Sequence, residues 1–464
     1  MKPYVLAGFQ MIGLNGMIGA SWLDPDDTSV AFTDLDYWIG IARQLDDAGF
    51  DFLFFADSYG FPGLDGEPLA ATVREGRSIP QADPVTVVSA LAAATRDLGY
   101  VVTASTTVEK PAALARRFAT LDHFTKGRIG WNIVTGSQGA TAASLMGEEV
   151  TPHDLRYDKA DDYLELCLKL WESSWRTDAV VADRASGVWA DPEGVRSISH
   201  DGPFHQAKGI LNVPPSPQRT PLLVQAGTSG RGCEYAGRNA EVVFVAGGPH
   251  EVVARRVQNI RDAAVAAGRP ADSITIVAGV MFLVAPTEEE AIAKHERMLS
   301  LSSYDGAAAI FAGNTGVDLL QFDQDAPLPH DLSTELGLSN LQRYLGTAEQ
   351  PGPLVREIVD DFRRTGLNGS VFVGTPEQVA DETEAFVAAT GVDGFLVQPN
   401  VVPATYDDFI GLLLPELRAR GLVRESRADS ADPGAPATTL RERLFPGAGA
   451  HLPDTHYGAA LRWS

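Results

Sequence analysis

Cysteine is nearly missing from this chain: its 464 residues include only Cys167 and Cys233. Two thiols cannot build a disulfide framework, which fits a reducing compartment and makes the cytoplasm the expected location. Both read as small buried hydrophobes. Basic residues are also scarce, with 37 Lys and Arg against 61 Asp and Glu, a formal charge of −24. No Lys/Arg-rich run interrupts that acidity, so neither nucleic acid nor an anionic membrane surface is an expected partner, and the charge is read as serving solubility. There is no uninterrupted apolar run of ~18 residues or more, so no membrane span is expected. The nine histidines show no metal-ligand spacing such as HExxH, and no metal is expected. The apolar stretch from Lys2 to Trp22 is broken by Gln10, Asn15 and four glycines. It is read as a buried first strand over Tyr4–Phe9 and not as a secretion signal.

What the chain does hold is a repeated alternation of helix and strand. The most informative stretch is Arg117–Gly136, RFATLDHFTKGRIGWNIVTG. Leu114, Phe118 and Leu121 recur at helical spacing, Gly127 follows a lysine, and Ile129, Trp131 and Ile133 then alternate at period two. Asn132 falls near the carboxyl end of that strand, followed by Thr135, Gly136 and Ser137, and in parallel barrels this end handles ligands. Further strands are predicted at Phe52–Ala56, Tyr100–Ala104, Leu222–Gln225, Val242–Val245, Ile274–Val284 and Gly394–Val397. Eight strands alternating with helices predict an α/β fold of the (β/α)8 TIM-barrel type. Residues 1–421 are assigned to the barrel, with insertions of about 172–221 after strand four and 302–353 after strand seven. The first insertion reads as small and hairpin-like. The second has no sustained period, yet its apolar content predicts an ordered cover over a site. Residues 422–464 are expected to form a C-terminal arm packed on the barrel or on a second subunit.

Several residues stand where chemistry would be done. Gly227, Thr228, Ser229, Gly230 and Gly232 follow strand five and lead into a helix, placing hydroxyls and free N–H groups at its positive end. Alone, such a loop reads as a plain turn. It has no Walker lysine and no GxGxxG spacing, so nucleoside triphosphate and Rossmann readings fail. His153 and Tyr157 lie four apart and share one face of a helix start. Asp57, Thr103 and Asn132 stand at three different strand ends, and Asn132 offers a donor and an acceptor together, which suits a pyrimidine edge. For each of Asp57, Thr103 and Asn132 taken singly, a structural hydrogen bond is the better reading; His123 is assigned a structural role.

Together the motifs carry more. The segment DHFTKGRIGWNIVTG at Asp122–Gly136, FFADS at Phe54–Ser58, HDLRYDKADDYLEL at His153–Leu166, QAGTSGRG at Gln225–Gly232, GTPEQVAD at Gly374–Asp381 and VDGFLVQP at Val392–Pro399 span nearly the whole chain. In this order they resemble the flavin-dependent monooxygenases related to bacterial luciferase, in the branch with nitrilotriacetate monooxygenase component A, dibenzothiophene-sulfone monooxygenase and long-chain alkane monooxygenase. The resemblance implies the same barrel and the oxygenase component of a two-component system. Such an enzyme takes FMN in its reduced form, FMNH2, from a separate NAD(P)H-dependent flavin reductase, uses O2 as co-substrate and inserts one oxygen atom into a small organic substrate. It also implies phosphate contacts from Gly227 and Ser229, flavin contacts from His153 and Tyr157, and ring or ribityl contacts from Asp57, Thr103 and Asn132. A homodimer or homotetramer is expected. Some relatives carry a histidine in the first loop and another before the Thr-Gly of the late insertion. Here Met11–Trp22 has none and Asn314 precedes Thr315 and Gly316, so no acid/base residue is assigned and the substrate stays open. A deazaflavin-dependent oxidoreductase and a flavin-binding protein without turnover are the alternatives.

Overall fold

Eight parallel strands, buried along almost their whole length, close into a barrel in the computed structural model of the chain, which describes residues 2–14, 18–64, 66–136, 139–334, 341–366, 370–425 and 438–463. Asn15, Ser137, residues 335–340 of the second insertion and residues 426–437 of the arm lie outside the described residues. The strands are β1 (Val5–Gln10), β2 (Phe52–Phe55), β3 (Gly99–Ser105), β4 (Ile129–Val134), β5 (Leu222–Gln225), β6 (Val242–Ala246), β7 (Thr275–Val284) and β8 (Gly394–Val397). Each pairs with its neighbours in sequence, and β8 closes the ring by pairing with both β7 and β1. The eight strands expected from the sequence are these, within about two residues at their ends. A further short strand, Val371–Gly374, pairs only with the second half of β7, at Met281–Val284, and lies outside the ring.

Period-two alternation sorts the side chains. Val5, Ala7, Phe9, Phe52, Phe54, Val101, Val224, Val277 and Leu396 form the cluster inside the barrel. Leu6, Leu53, Val102, Ile129, Trp131, Ile133 and Val243 turn outward into the larger layer shared with the helices. The inner cluster also takes in Leu440 and Leu444 of the C-terminal arm. They fill the amino-terminal end of the barrel, where Leu440 N donates to Gly127 O at 2.8 Å and the Leu440 side chain occupies the space beside Gly99 at the start of β3.

Between these two leucines, Arg441 is fully buried. Its Nε and Nη2 donate to Glu241 Oε1 at 2.6 Å and Oε2 at 2.9 Å, and Nη1 and Nη2 also reach the carbonyls of Ala450 and Thr220 at 2.6 and 3.0 Å. Glu241 accepts from Leu223 N at 3.0 Å. Burial pushes the Glu241 carboxyl up, but the Arg441 charge and these hydrogen bonds outweigh it and hold the group below its usual range. Nearby, Arg424 and Arg443 both pair with Asp51.

The insertions depart most from the sequence expectation. Beyond β4, helix α1 (His153–Leu168) continues into one π turn at Lys169–Ser173. Two antiparallel hairpins then follow where one hairpin-like unit is predicted, Val180–Asp183 with Val188–Ala190 and Ile198–Asp201 with Gln206–Gly209. Asp162 of α1 anchors the second of them through His200 Nε2 at 2.9 Å, His205 Nδ1 at 3.0 Å and the His205 N–H at 2.7 Å. The insertion after β7 contains a helix that the sequence pattern does not announce, spanning Tyr304–Thr315. Residues Gly306–Gly313 are buried on every side, so the apolar positions follow no helical stripe. The helix rests on the connection after β2: Ser303 Oγ donates to Glu75 at 2.7 and 2.8 Å, and a Cβ at Gly313 would lie 2.7 Å from Pro62. That connection also exchanges hydrogen bonds with the one after β4, through Phe61 and Thr141 at 2.9 and 3.0 Å. Both cysteines are free and buried. Among the described residues no helix is long and apolar enough to cross a membrane.

Truncating Arg441 to Met would strand the Glu241 carboxylate in the barrel base, and urea unfolding is expected to show a loss of about 3 to 5 kcal/mol. Adding Glu241→Gln should restore much of it. A loss of under ~1 kcal/mol in the single variant would show that this pair does not hold the base.

Candidate functional site

The polar residues at the carboxyl ends of the strands face the barrel axis for the reason that puts Trp131 outside it. With Ile129, Trp131 and Ile133 turned to the helices, Asn132 must point inward. It is 3% exposed, and its Nδ2 donates to Thr103 Oγ1 at 2.8 Å, the residue directly opposite in the β3–β4 register. Its Oδ1 is buried and makes no hydrogen bond. Gln225 Oε1, at the end of β5, and Gln398 Oε1, just beyond β8, are in the same condition. Buried acceptors without donors are costly; Asn132 and Gln398 face the axis, where a ligand bringing N–H or O–H groups would satisfy them, whereas Gln225, next to the inward Val224 and paired with Ile133, turns toward Gly227.

Asp57 lies at the end of β2 in a recess with Ser58, Tyr59, Thr103, Ser105, Val134 and Gly136. Burial first, and then the charge of Asp83, raise its carboxyl from 3.8 to about 6, while the Ser58 N–H partly opposes the shift. The structure therefore brings Asp57, Thr103 and Asn132 into one neighbourhood.

The second group forms around α1 and helix α2 (Gly230–Asn239). Ser229 caps α2, its Oγ accepting from Gly232 N at 3.1 Å, and the same Oγ lies 3.3 Å from His153 Nε2. The rings of His153 and Tyr157 meet edge to face at 5.3 Å. The Tyr157 hydroxyl bonds the side chains of Ser229 and Thr135, and burial raises its pKa. A Cβ would come within 2.6 Å of that hydroxyl at Gly227 and within 2.9 Å at Gly232. Both positions therefore exclude any larger residue. His153, Tyr157, Gly227 and Ser229 thus converge at one helix amino terminus, with the Arg156 guanidinium beside Gly136 and in electrostatic range of Tyr157. Arg231 makes no free cation here, because Asp158 and Asp161 bind it at 3.0 and 2.6 Å.

The end of β4 joins the two groups: Val134 and Gly136 line the Asp57 recess, and Thr135 between them bonds Tyr157. A ligand with a dianionic phosphate at one end and a planar heterocycle with hydrogen-bonding edges at the other fits this arrangement. The sequence places Thr135 at this strand end without giving it a contact, and it does not single out Gln225 or Gln398. Their signal was a polar residue at the end of an apolar strand, of the kind that marks Asn132. His123 is structural, its Nε2 lying 3.1 Å from Pro214 O. Among the described residues no group of three or more His, Cys, Asp or Glu is placed to hold a metal ion.

Because the folded pKa of Asp57 is raised, the protonated form stabilises the fold, and that contribution is lost as pH climbs through about 6. Asp57→Asn is expected to gain stability relative to the parent between about pH 4 and pH 6, and the side-chain carboxyl carbon should titrate by NMR with a midpoint of about 6. A midpoint near 4 would remove the recess as the cause.

Residues 18–394 match the family described as luciferase-like monooxygenase. The chain is 37% identical over 461 residues to dimethyl-sulfide monooxygenase of Hyphomicrobium sulfonivorans, covering 99% of this chain and 94% of that protein. It is also 37% identical to long-chain alkane monooxygenase of Geobacillus thermodenitrificans, covering 99% and 98%. Among solved structures, riboflavin lyase with modified FMN and its substrate riboflavin superposes with a TM-score of 0.92 at 40% identity, covering 99% of this chain and 100% of that one. With the barrel, the full-length relatives and the family match all in accord, the chain belongs to the luciferase-like monooxygenases.

Proposed function

We propose that this protein is the oxygenase component of a two-component monooxygenase that takes reduced FMN from a separate NAD(P)H-dependent reductase and transfers one oxygen atom of O2 to a small organic substrate. The observation that carries the proposal is the junction at β4, where Tyr157, Ser229 and His153 converge on the amino terminus of α2 next to the strand whose Asn132 Oδ1 is buried without a hydrogen bond among the described residues. When bound, reduced FMN supplies the electrons that activate dioxygen. The residues present fit it. Tyr157 and Ser229 offer hydroxyl donors, Gly227 lets the Tyr157 hydroxyl approach the loop, the amino terminus of α2 contributes its dipole, and His153 and Arg156 stand beside them. Asn132 Oδ1 can accept from the ring's N–H edge, with Thr103 fixing the amide's orientation. Asp57 borders the same recess and carries a proton more readily than an ordinary aspartate. The barrel wall and the interlocked connections after β2, β4 and β7 serve to keep water from the reacting atoms.

Activity is tested by supplying the purified chain with FMN, NADH and a generic flavin reductase, and following oxygenated product by mass spectrometry. The panel takes its substrates from the relatives: dimethyl sulfide, a long-chain alkane and riboflavin. Product is expected only when the reductase is present. Steady NADH consumption by the chain and FMN alone would count against the two-component reading. Peroxide release that no substrate suppresses would favour a flavin-binding protein without turnover.

Removing one hydrogen bond to a charged phosphate costs about 1.5 to 3 kcal/mol, so Tyr157→Phe and Ser229→Ala should each weaken FMN binding roughly ten- to a hundredfold. Unchanged Kd values in both variants would place the phosphate elsewhere.

A further inference from the structure

One charged side chain near the barrel mouth is not used by the site described above. Arg77, in the connection after β2, is 3% exposed, and neither its Nε nor its Nη1 makes a hydrogen bond. Other deeply buried arginines behave differently. Arg128 reaches the carbonyls of Thr125, Leu98 and Ala92, Arg269 those of Gly237 and Ala240, and Arg441 is paired with Glu241. The carboxylate acting on Arg77 is Glu75. Glu75, however, accepts from Ser303 Oγ on both oxygens and from Arg74 Nη2 at 3.0 Å. Burial lowers the Arg77 pKa to about 10, so the group stays cationic at neutral pH. Buried guanidinium N–H groups left without a hydrogen bond, as Nε and Nη1 are among the described residues, are costly, and folds keep such groups paired.

Its surroundings belong to the mouth. Trp22 Nε1, from the connection after β1, donates to Glu75 O at 2.9 Å. The Gly76 turn lies against Leu14 of the same connection. Ala82 N donates to Ile12 O at 2.7 Å, and Gln81 Nε2 to Ala56 O at 3.2 Å, next to Asp57. Arg77 is four residues before Gln81, which sets its Cα within about 14 Å of it even for extended chain. The segment is thus enclosed by the connections after β1 and β2 and by the insertion after β7.

We propose that Arg77 seats an anionic group of the organic substrate, a carboxylate or sulfonate, and so selects acids over their neutral counterparts. A guanidinium is suited to this because it carries its charge at any physiological pH and presents several fixed donors to planar oxyanions. The word substrate rests on the monooxygenase reading; the anion site itself does not.

The test uses the full chain without flavin. Acetate, hexanoate and benzoate are titrated against the matching amides by calorimetry and thermal shift, for the parent, Arg77→Gln and Arg77→Lys. At least one carboxylate should bind tenfold or more tightly than its amide. Arg77→Gln should abolish that preference while melting no lower than the parent, and Arg77→Lys should keep part of it. FMN affinity should not change in either variant. Equal binding of carboxylates and amides by the parent overturns the proposal, as does an acid preference that survives in Arg77→Gln. Loss of the acid preference in Arg77→Gln, alongside normal FMN affinity in the Tyr157 and Ser229 variants, would uphold the anion site while sinking the phosphate assignment.

Discussion

Closure of eight strands around one packed axis is the constraint on which the rest of this structure depends. In a closed parallel barrel every strand is buried on both faces, so each residue must suit either the axis or the helical layer, and the choice alternates strictly. Trp131 and Tyr100 go outward into the helical layer, while Phe9, Phe52 and Phe54 fill the axis. Residues such as Gly130, Ala7 and Gly279 face the axis. The same alternation brings Thr103, Asn132 and Gln398 to the inner face where the strands end. Site and scaffold are therefore specified by one rule, and a register slip of one residue in β4 would exchange Trp131 for Asn132 and destroy both.

The two ends of the axis are closed by different physics. At the base, Leu440 and Leu444 complete the apolar cluster, and the Glu241–Arg441 pair ties the arm that carries them to the chain before β5 and β6. That pair is bidentate and supported by backbone carbonyls, which is the condition under which a buried ion pair holds its place. At the mouth, closure is made by loops that bond each other: Phe61 with Thr141, Ser303 with Glu75, Trp22 with the Glu75 carbonyl. Among the described residues, Asn132 Oδ1 and the Arg77 Nε and Nη1 are buried there without a hydrogen bond.

The junction between β4 and α2 shows how little separates a turn from a candidate site. Ser229 would cap its helix in either case. What changes its meaning is Tyr157, whose hydroxyl occupies the room that Gly227 and Gly232 leave, and Thr135, which links that hydroxyl to the strand carrying Asn132. Three chain segments far apart in sequence meet here: the end of β4, the start of α1 and the start of α2.

The sequence by itself determined the barrel, because strand and helix periods are local properties: β5 is legible in Leu222–Gln225 and β4 in the spacing of Ile129, Trp131 and Ile133. It also determined which strand ends carry polar groups, hence Asp57, Thr103 and Asn132, and its motifs marked His153, Tyr157, Gly227 and Ser229. Tertiary structure alone decided what local pattern cannot encode. Helix Tyr304–Thr315 is buried all round, so its composition lacks the stripe that would announce it. The arm at Leu440–Leu444 enters the barrel because its partners, Gly99 and Glu241, are distant in sequence. Arg77 reads in the sequence as one arginine among many. Only the folded chain, with Glu75 already engaged by Ser303, leaves its Nε and Nη1 buried without a hydrogen bond among the described residues.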